Sequence, residues 1–290
     1  MNAPKRWLLG LYCGGTLPYR LLAAARRSAA GAVPIMVLFY HRVADSQPNP
    51  WTMTNRQFAR QIRWLHRRFD LVSLAEAQRR ICSGRCHRPT VSVTFDDGYA
   101  DNCTGALPLL IDLGIPCTYF VSTHQVLDGV PFPHDVAAAQ PLPVNTAAQL
   151  RWMVAHGIEV GAHTQSHADI GAIADPVRLA GELVTCKHQL EAAVNRPVRY
   201  FAFPYGQPEN MTDEAFHLAR EAGYQGICSA YGGYNFPGDD AFHLRRIHAD
   251  PEMVRFRNWL AVDPRKVWIS SRKRLRPGAI AGPTPAGGSA

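Results

Sequence analysis

The sequence offers no apolar run long enough to cross a bilayer, which takes about 20 residues. Its N-terminal apolar stretch, residues 7–19, is too short and is broken by Gly14, Gly15 and Pro18. A disulfide framework is also missing. The seven cysteines, Cys13, Cys82, Cys86, Cys103, Cys117, Cys186 and Cys228, are odd in number and irregularly spaced, and several sit in core-like segments such as "CTYFV". They read as free, buried thiols. The stretch "CSGRCH" (Cys82, Cys86, His87) has no second pair at zinc-finger spacing, so it reads as a helix end and loop. No G-x-G-x-x-G follows the first candidate strand, which argues against dinucleotide binding. There is no internal repeat. The formal charge of +8, with a pI near 9.3, favours anionic surfaces. The arginines are scattered, however, and no RNA-binding or zinc-finger signature accompanies them, so nucleic acid is not an expected partner.

What is present is a chain of 290 residues, 47% hydrophobic, able to bury a sizeable core. Apolar runs at 35–40, 91–95, 117–121, 158–162, 200–203, 225–229 and 244–248 read as strands. Amphipathic stretches at 55–69, 73–81, 102–114, 146–157, 175–194 and 212–223 read as helices between them. Asn55 is the expected cap of the first, and Asp175 with Pro176 the expected start of the fifth. Gly114, Gly157 and Gly223 stand where helices should stop. Continuous apolar strands alternating with helices predict an α/β fold, a distorted (β/α) barrel of about seven parallel strands, with an open doubly wound sheet as the alternative.

Polar residues stand at the C-terminal ends of these strands. His41 follows the first, Asp96 and Asp97 the second, His163 the fourth with His167 close behind, Pro204-Tyr205-Gly206 the fifth, and His248 ends the last. In a barrel those ends share one face, where active sites sit. Each feature alone has a plain structural reading as a rim residue, a cap or a turn. Together, an Asp pair and a His pair point to a metal site. Two imidazoles and one carboxylate suit Zn²⁺, and less exclusively Co²⁺, Ni²⁺ or Fe²⁺. Such a centre implies hydrolysis of an amide or ester.

The stretches "TFDDGY", "HTQSH" and "FAFPYG" resemble three motifs of the NodB-homology polysaccharide deacetylases, carbohydrate esterase family 4, over roughly residues 35–250. "LFYHRVAD" and the Ala of "FAFPYG" resemble the poly-N-acetylglucosamine deacetylase branch in particular. The resemblance implies Asp96 as general base, Asp97, His163 and His167 as metal ligands, and the Tyr205 N–H as part of an oxyanion hole. It implies a carbohydrate substrate bearing N-acetylated amino sugars, with release of acetate. Adjacent aspartates can serve different partners because successive side chains of an extended segment point apart.

Two departures stand out. Ala202 occupies the position where the family usually has an arginine that holds the catalytic aspartate, and no convincing Asp-Trp fourth motif is present. Arg246 is the candidate replacement. The general acid falls on His41 by the resemblance, with His248 as competitor. Two rival readings are an amidohydrolase of a small non-sugar amide and a glycan-binding protein with a decayed site.

The expected organisation is an N-terminal basic and apolar extension (1–33), a catalytic domain (34–262), and a basic, then Pro/Gly/Ala-rich, disordered tail (263–290). The extension reads as a plain extension, a weak signal peptide, or an amphipathic membrane-surface anchor with Arg20, Arg26 and Arg27 toward headgroups. The expected location is the cell envelope or a membrane surface, with export or a cytoplasmic location as alternatives. The Pro-rich stretch 124–145, with His124, His134 and Asp135, is expected to form a loop over the site. The sequence carries no signature of oligomeric state.

Overall fold

The computed structural model describes residues 3–267. The expected tail lies outside the described residues from 268 onward. Eight strands form the main sheet: β1 (Ile35–Tyr40), β2 (Thr90–Phe95), β3 (Cys117–Val121), β4 (Glu159–Ala162), β5 (Tyr200–Ala202), β6 (Gly226–Cys228), β7 (His243–Leu244) and β8 (Arg246–His248). Their order is β7-β6-β5-β4-β3-β2-β1-β8, all neighbours parallel, with the short Asp70–Leu71 strand added beside β2. The result is a nearly closed parallel barrel surrounded by helices.

The sequence expects a single strand over 244–248. The structure splits it at Arg245. His243 and Leu244 pair with β6, whereas Arg246–His248 pair with β1, so one short segment serves both ends of the sheet. Asn235 fills the break: its side chain accepts from Arg245 N and donates to the carbonyls of Ile35 and Arg245. The backbone groups that a continuous ladder would have satisfied are thus paired by one amide.

Every residue of β1, β2 and β3 is buried, as a sheet covered on both faces requires. Alternation sends Ile35 and Val37 into one apolar cluster with Phe120, Tyr200, Ala202 and Leu244. Met36, Leu38 and Tyr40 enter the larger cluster with the surrounding helices. Leu74, Ala77 and Ile81 of the helix Leu74–Cys82 join the first cluster, and Gln78 of that helix bonds Tyr200 Oη and the carbonyls of Gln225 and Ala241. That helix plugs the end of the barrel away from the site.

The helices follow their expected positions with local corrections. The helix Asn55–His66 is capped by Thr54, not Asn55, in a reciprocal box with Gln57. The stretch 102–114 divides into a 3-10 turn, Ala100–Cys103, and the helix Ala106–Asp112. Asp175 caps the helix that begins at Pro176, as expected, but a π turn, Gly181–Thr185, interrupts that helix. Residues 124–145 are not a bare loop. They hold the helices Thr123–Asp128 and Pro133–Ala137, and Phe132, Leu142 and Val144 pack on Tyr99 in a small core of their own. The N-terminal segment forms α1 (Ala3–Gly15) and α2 (Leu17–Ala30).

Candidate active site

The C-terminal ends of the strands meet at one pocket of about 380 Å³, lined among others by His41, Trp51, Asp96, Asp97, His134, His163, His167, Tyr205 and His248. The structure therefore brings all but one of the sequence-selected site residues to its wall. The remaining one, Arg246, lies just beneath.

Asp96 and Asp97 diverge through the backbone. Asp97 has φ +77° and Gly98 φ +100°, so the chain leaves β2 in a left-handed turn rather than the extended alternation expected from sequence. Asp96 points to Arg246, which grips it with two bonds: Nη1 to Oδ1 at 2.6 Å and Nη2 to Oδ2 at 2.8 Å. Arg246 is fully buried, and its Nε donates to Ser229 O. The guanidinium lies over the rings of Phe39, at 4.8 Å, and Phe120, at 5.4 Å. Burial opposes the Arg246 cation, and the Asp96 carboxylate more than offsets it, so its pKa is raised. Thus the guanidinium that holds Asp96 comes from Arg246 on β8.

Asp97 turns to the two histidines. Its Oδ1 is 3.5 Å from His163 Nε2 and 3.3 Å from His167 Nε2. Burial opposes ionisation of Asp97, yet contact with His163 and His167 holds its carboxyl well below the usual carboxylate range. His163 Nδ1 lies 2.7 Å from the carbonyl of Ala202. A carbonyl only accepts, so that nitrogen carries a proton, and in the neutral ring Nε2 is then the lone pair that can ligate a cation shared with Asp97. Asp97, His163 and His167 are the one group among the described residues whose donor atoms converge in this way, all within 4.8 Å of one another. The residues therefore fit a divalent metal with an N₂O donor set.

The loop that carries these histidines is fixed by a residue the sequence reading missed. Glu182, buried in the π turn, accepts from the N–H groups of Gln165 and Ser166 and from Ser166 Oγ. Single-turn π segments recur at functional sites. Nothing in the helical periodicity marks this glutamate, apart from an acid on an otherwise inward face. The loop is also held in rare conformations: Thr164 has φ +64° and His167 φ +59°. Asp97 and Tyr205 (φ +60°) belong to the same set, so four of the eight left-handed non-glycine residues among the described residues lie at the site.

His41 follows β1 and is held from behind by Asn102, whose amide donates to the His41 carbonyl and accepts from Val43 N. Its ring sits 6.0 Å from that of His248 and 5.0 Å from that of Trp51. Burial lowers the pKa of His41 against the pull of Asp97 and Asp96. Burial, then the neighbouring His41, push His248 down to about 4. Arg42, fully buried, donates to Asp101 and to the carbonyls of Ser46 and Gln47, fixing the loop that presents Trp51.

Trp51 and His134 are further pocket residues that strand-end reasoning did not select. His134 Nε2 is 3.0 Å from Tyr99 Oη, which donates to the buried Asp135. His124 instead pairs with exposed Asp128. All seven cysteines are free. His87 bonds the carbonyl of Ser28, so "CSGRCH" serves packing.

A family model described as polysaccharide deacetylase matches residues 83–227, half of the chain. That span includes Asp96, Asp97, His163, His167 and Tyr205 and leaves out His41, Arg246 and His248. YxkH of Bacillus subtilis (strain 168) is 24% identical over 221 residues, 75% of this chain and 72% of the relative. A chitooligosaccharide deacetylase of Bradyrhizobium sp. (strain ANU 289) is 29% identical over 119 residues, 40% of this chain and 46% of the relative. Among solved structures, IcaB from Ammonifex degensii aligns with a TM-score of 0.65 at 26% identity, over 79% of this chain and 97% of that one. The Streptococcus pyogenes deacetylase PplD reaches the same TM-score at 21% identity, over 79% and 99%, a likeness of fold.

Proposed function

This chain belongs to the polysaccharide deacetylase family, and on that premise we propose that it is a metal-dependent N-deacetylase of N-acetylated amino sugars. The observation that carries the proposal is the divided Asp pair: Asp96 clamped by Arg246, and Asp97 facing His163 and His167 across the same pocket.

A divalent metal, Zn²⁺ being best suited to two imidazoles and a carboxylate, would supply Lewis acidity toward the acetamide carbonyl and the attacking water. Asp96 takes a proton from that water. The Arg246 clamp holds and aims the carboxylate, and each oxygen keeps a lone pair for the proton. The N–H of Tyr205 has no partner among the described residues and stands at the pocket wall, where it can donate to developing negative charge on the carbonyl oxygen. A histidine passes a proton to the leaving nitrogen, so that water and amide become acetate and free amine. His41 suits this better than His248. After burial, the two site carboxylates, Asp97 and then Asp96, act most strongly on His41, against His163 and Arg246, whereas His41, Asp250 and Arg255 all weigh on His248 ahead of Asp96.

A saccharide substrate is supported by the pocket mouth, where Trp51 and Tyr205 are both exposed aromatics above the buried Asp96, Asp97 and His163. Flat apolar rings with a wet edge suit sugar faces. The decisive assay measures acetate release from chitooligosaccharides and from small amides, with Zn²⁺ or Co²⁺ supplied. The proposal expects metal-dependent release from the oligosaccharides. Release from small amides alone would favour an amidohydrolase. Oligosaccharide binding with no acetate, even in excess metal, would mark a decayed site.

A further inference from the structure

The N-terminal helical segment, in which Thr16 joins α1 to α2 through helical backbone bonds, is apolar on the side where a solvated helix carries charge. In α1, Leu9, Tyr12 and Cys13 share one side, and Trp7, Leu8 and Leu11 the other, as three-to-four spacing dictates. The inner side is mounted firmly on the barrel. Tyr12 Oη donates to Asp263 at 2.8 Å, and Cys13 Sγ lies 3.3 Å from Asn258 Oδ1. Arg20 is buried and donates to Thr16 and Asn258, so it does not face outward as the sequence reading expected. Burial would raise the Asp263 carboxyl, but bonds from Arg265, Asn258 and Tyr12 hold it down at about 2.

The outer side is bare. Trp7 is 74% exposed, Leu8 66% and Leu11 65%, and Leu21 and Leu22 of α2 exceed half. Of the thirteen exposed large hydrophobics among the described residues, seven lie between positions 7 and 22, a concentration that marks an interaction surface rather than scatter. The charge around it is mostly positive, with the acid Glu252 3.8 Å from Arg6. The first 44 residues contain no Asp or Glu but carry Lys5, Arg6, Arg26 and Arg27, with Arg26 exposed. The described chain ends at residue 267, just beyond the Asp263–Tyr12 contact. The nine residues that follow carry Arg272, Lys273, Arg274 and Arg276.

We propose that this face docks on an anionic bilayer surface. The helices α1 and α2 lie in the plane of the interface, with Trp7, Leu11 and Leu22 in the headgroup–acyl boundary and the flanking cations on the lipid phosphates. Neither helix is long and apolar enough to cross a membrane, so attachment is peripheral. A second copy of the chain is a poorer occupant, because two such faces would bring like charges together, and neither N-terminal segment contains an acid, leaving Glu252 beside Arg6 to offset them. The mount on Asn258 and Asp263 would fix the catalytic barrel at the membrane. The proposal stands independently of the deacetylase assignment.

The test is co-sedimentation of the full chain with phosphatidylcholine vesicles, with and without phosphatidylglycerol. Binding should be about tenfold stronger to the anionic vesicles and weaken with salt. The triple variant Trp7→Ser, Leu11→Ser, Leu22→Ser should lose about tenfold in binding. Its melting temperature and acetate release from soluble oligosaccharide should stay unchanged. Hydrogen exchange on the wild-type chain gives a readout free of mutation: anionic vesicles should slow exchange in residues 3–30. Equal or absent binding to the two vesicle types overturns the proposal, as does wild-type binding by the triple variant. A vesicle-indifferent dimer that the triple variant converts to monomer overturns it too, and makes the face a self-association surface.

Discussion

Asp96 and Asp97 are neighbours whose carboxylates serve different partners because the backbone turns left-handed between strand and loop. That they would differ in role was legible in "TFDDGY". The means was not, since a positive φ at an aspartate leaves no mark in periodicity. The partner of Asp96 was legible only as a strand-end arginine, and its two-bond grip needs the barrel to close before Arg246 can reach it. Glu182 was invisible, because its role depends on a π turn that shifts it toward the histidine loop. A buried pair of this kind is costly to break one-sidedly. Arg246→Ala leaves the buried Asp96 without its partner and should cost about 3–5 kcal/mol in urea unfolding, with loss of acetate release. Pairing Arg246→Met with Asp96→Asn should recover most of the stability and none of the activity. Near-wild-type turnover in Arg246→Ala would remove the clamp from the account.

At the scale of elements, the strands are the most legible part. Apolar runs at 35–40 and 117–121 coincide with β1 and β3 to the residue. The split at Arg245 was not legible, because two residues paired on one side and three on the other read as one run. The small core under residues 124–145 was hidden by prolines that read as irregular chain. The β7 strand carries a measurable consequence. His243 is buried against Phe216 and Tyr231 with an unpartnered Nε2, and burial, then Arg245, push its pKa down to about 3. The unfolded imidazole titrates near 6.5, so the unfolded state binds a proton that the folded state refuses. Stability is therefore full above that value and falls as pH drops from about 6.5 toward 3, by about 1.4 kcal/mol per unit. Unfolding by urea at pH 7 and pH 5 should differ by about 2 kcal/mol from this group, and His243→Phe should flatten that difference. An unchanged pH dependence in His243→Phe would place the sensitivity elsewhere.

At the scale of the whole molecule, the barrel gathers chemistry from places far apart in the chain. His41 comes from the first strand, the Asp pair from the second, the His pair from the fourth, and Arg246 and His248 from the last. Sequence reading could place them all on one face because parallel strands share a C-terminal end. It could not show which of them touch. The N-terminal helical segment divides in the same way. Its composition suggested a surface anchor, but only the fold shows that Arg20 turns inward while Trp7, Leu8 and Leu11 remain outside.

The central claim is that the two adjacent aspartates divide the labour, one as base and one as metal ligand. Its most direct test measures bound metal and acetate release together in Asp96→Asn and Asp97→Asn. The account predicts that Asp96→Asn retains metal and releases no acetate, while Asp97→Asn loses both. Acetate release near the wild-type rate in Asp96→Asn, or full metal content in Asp97→Asn, would contradict it.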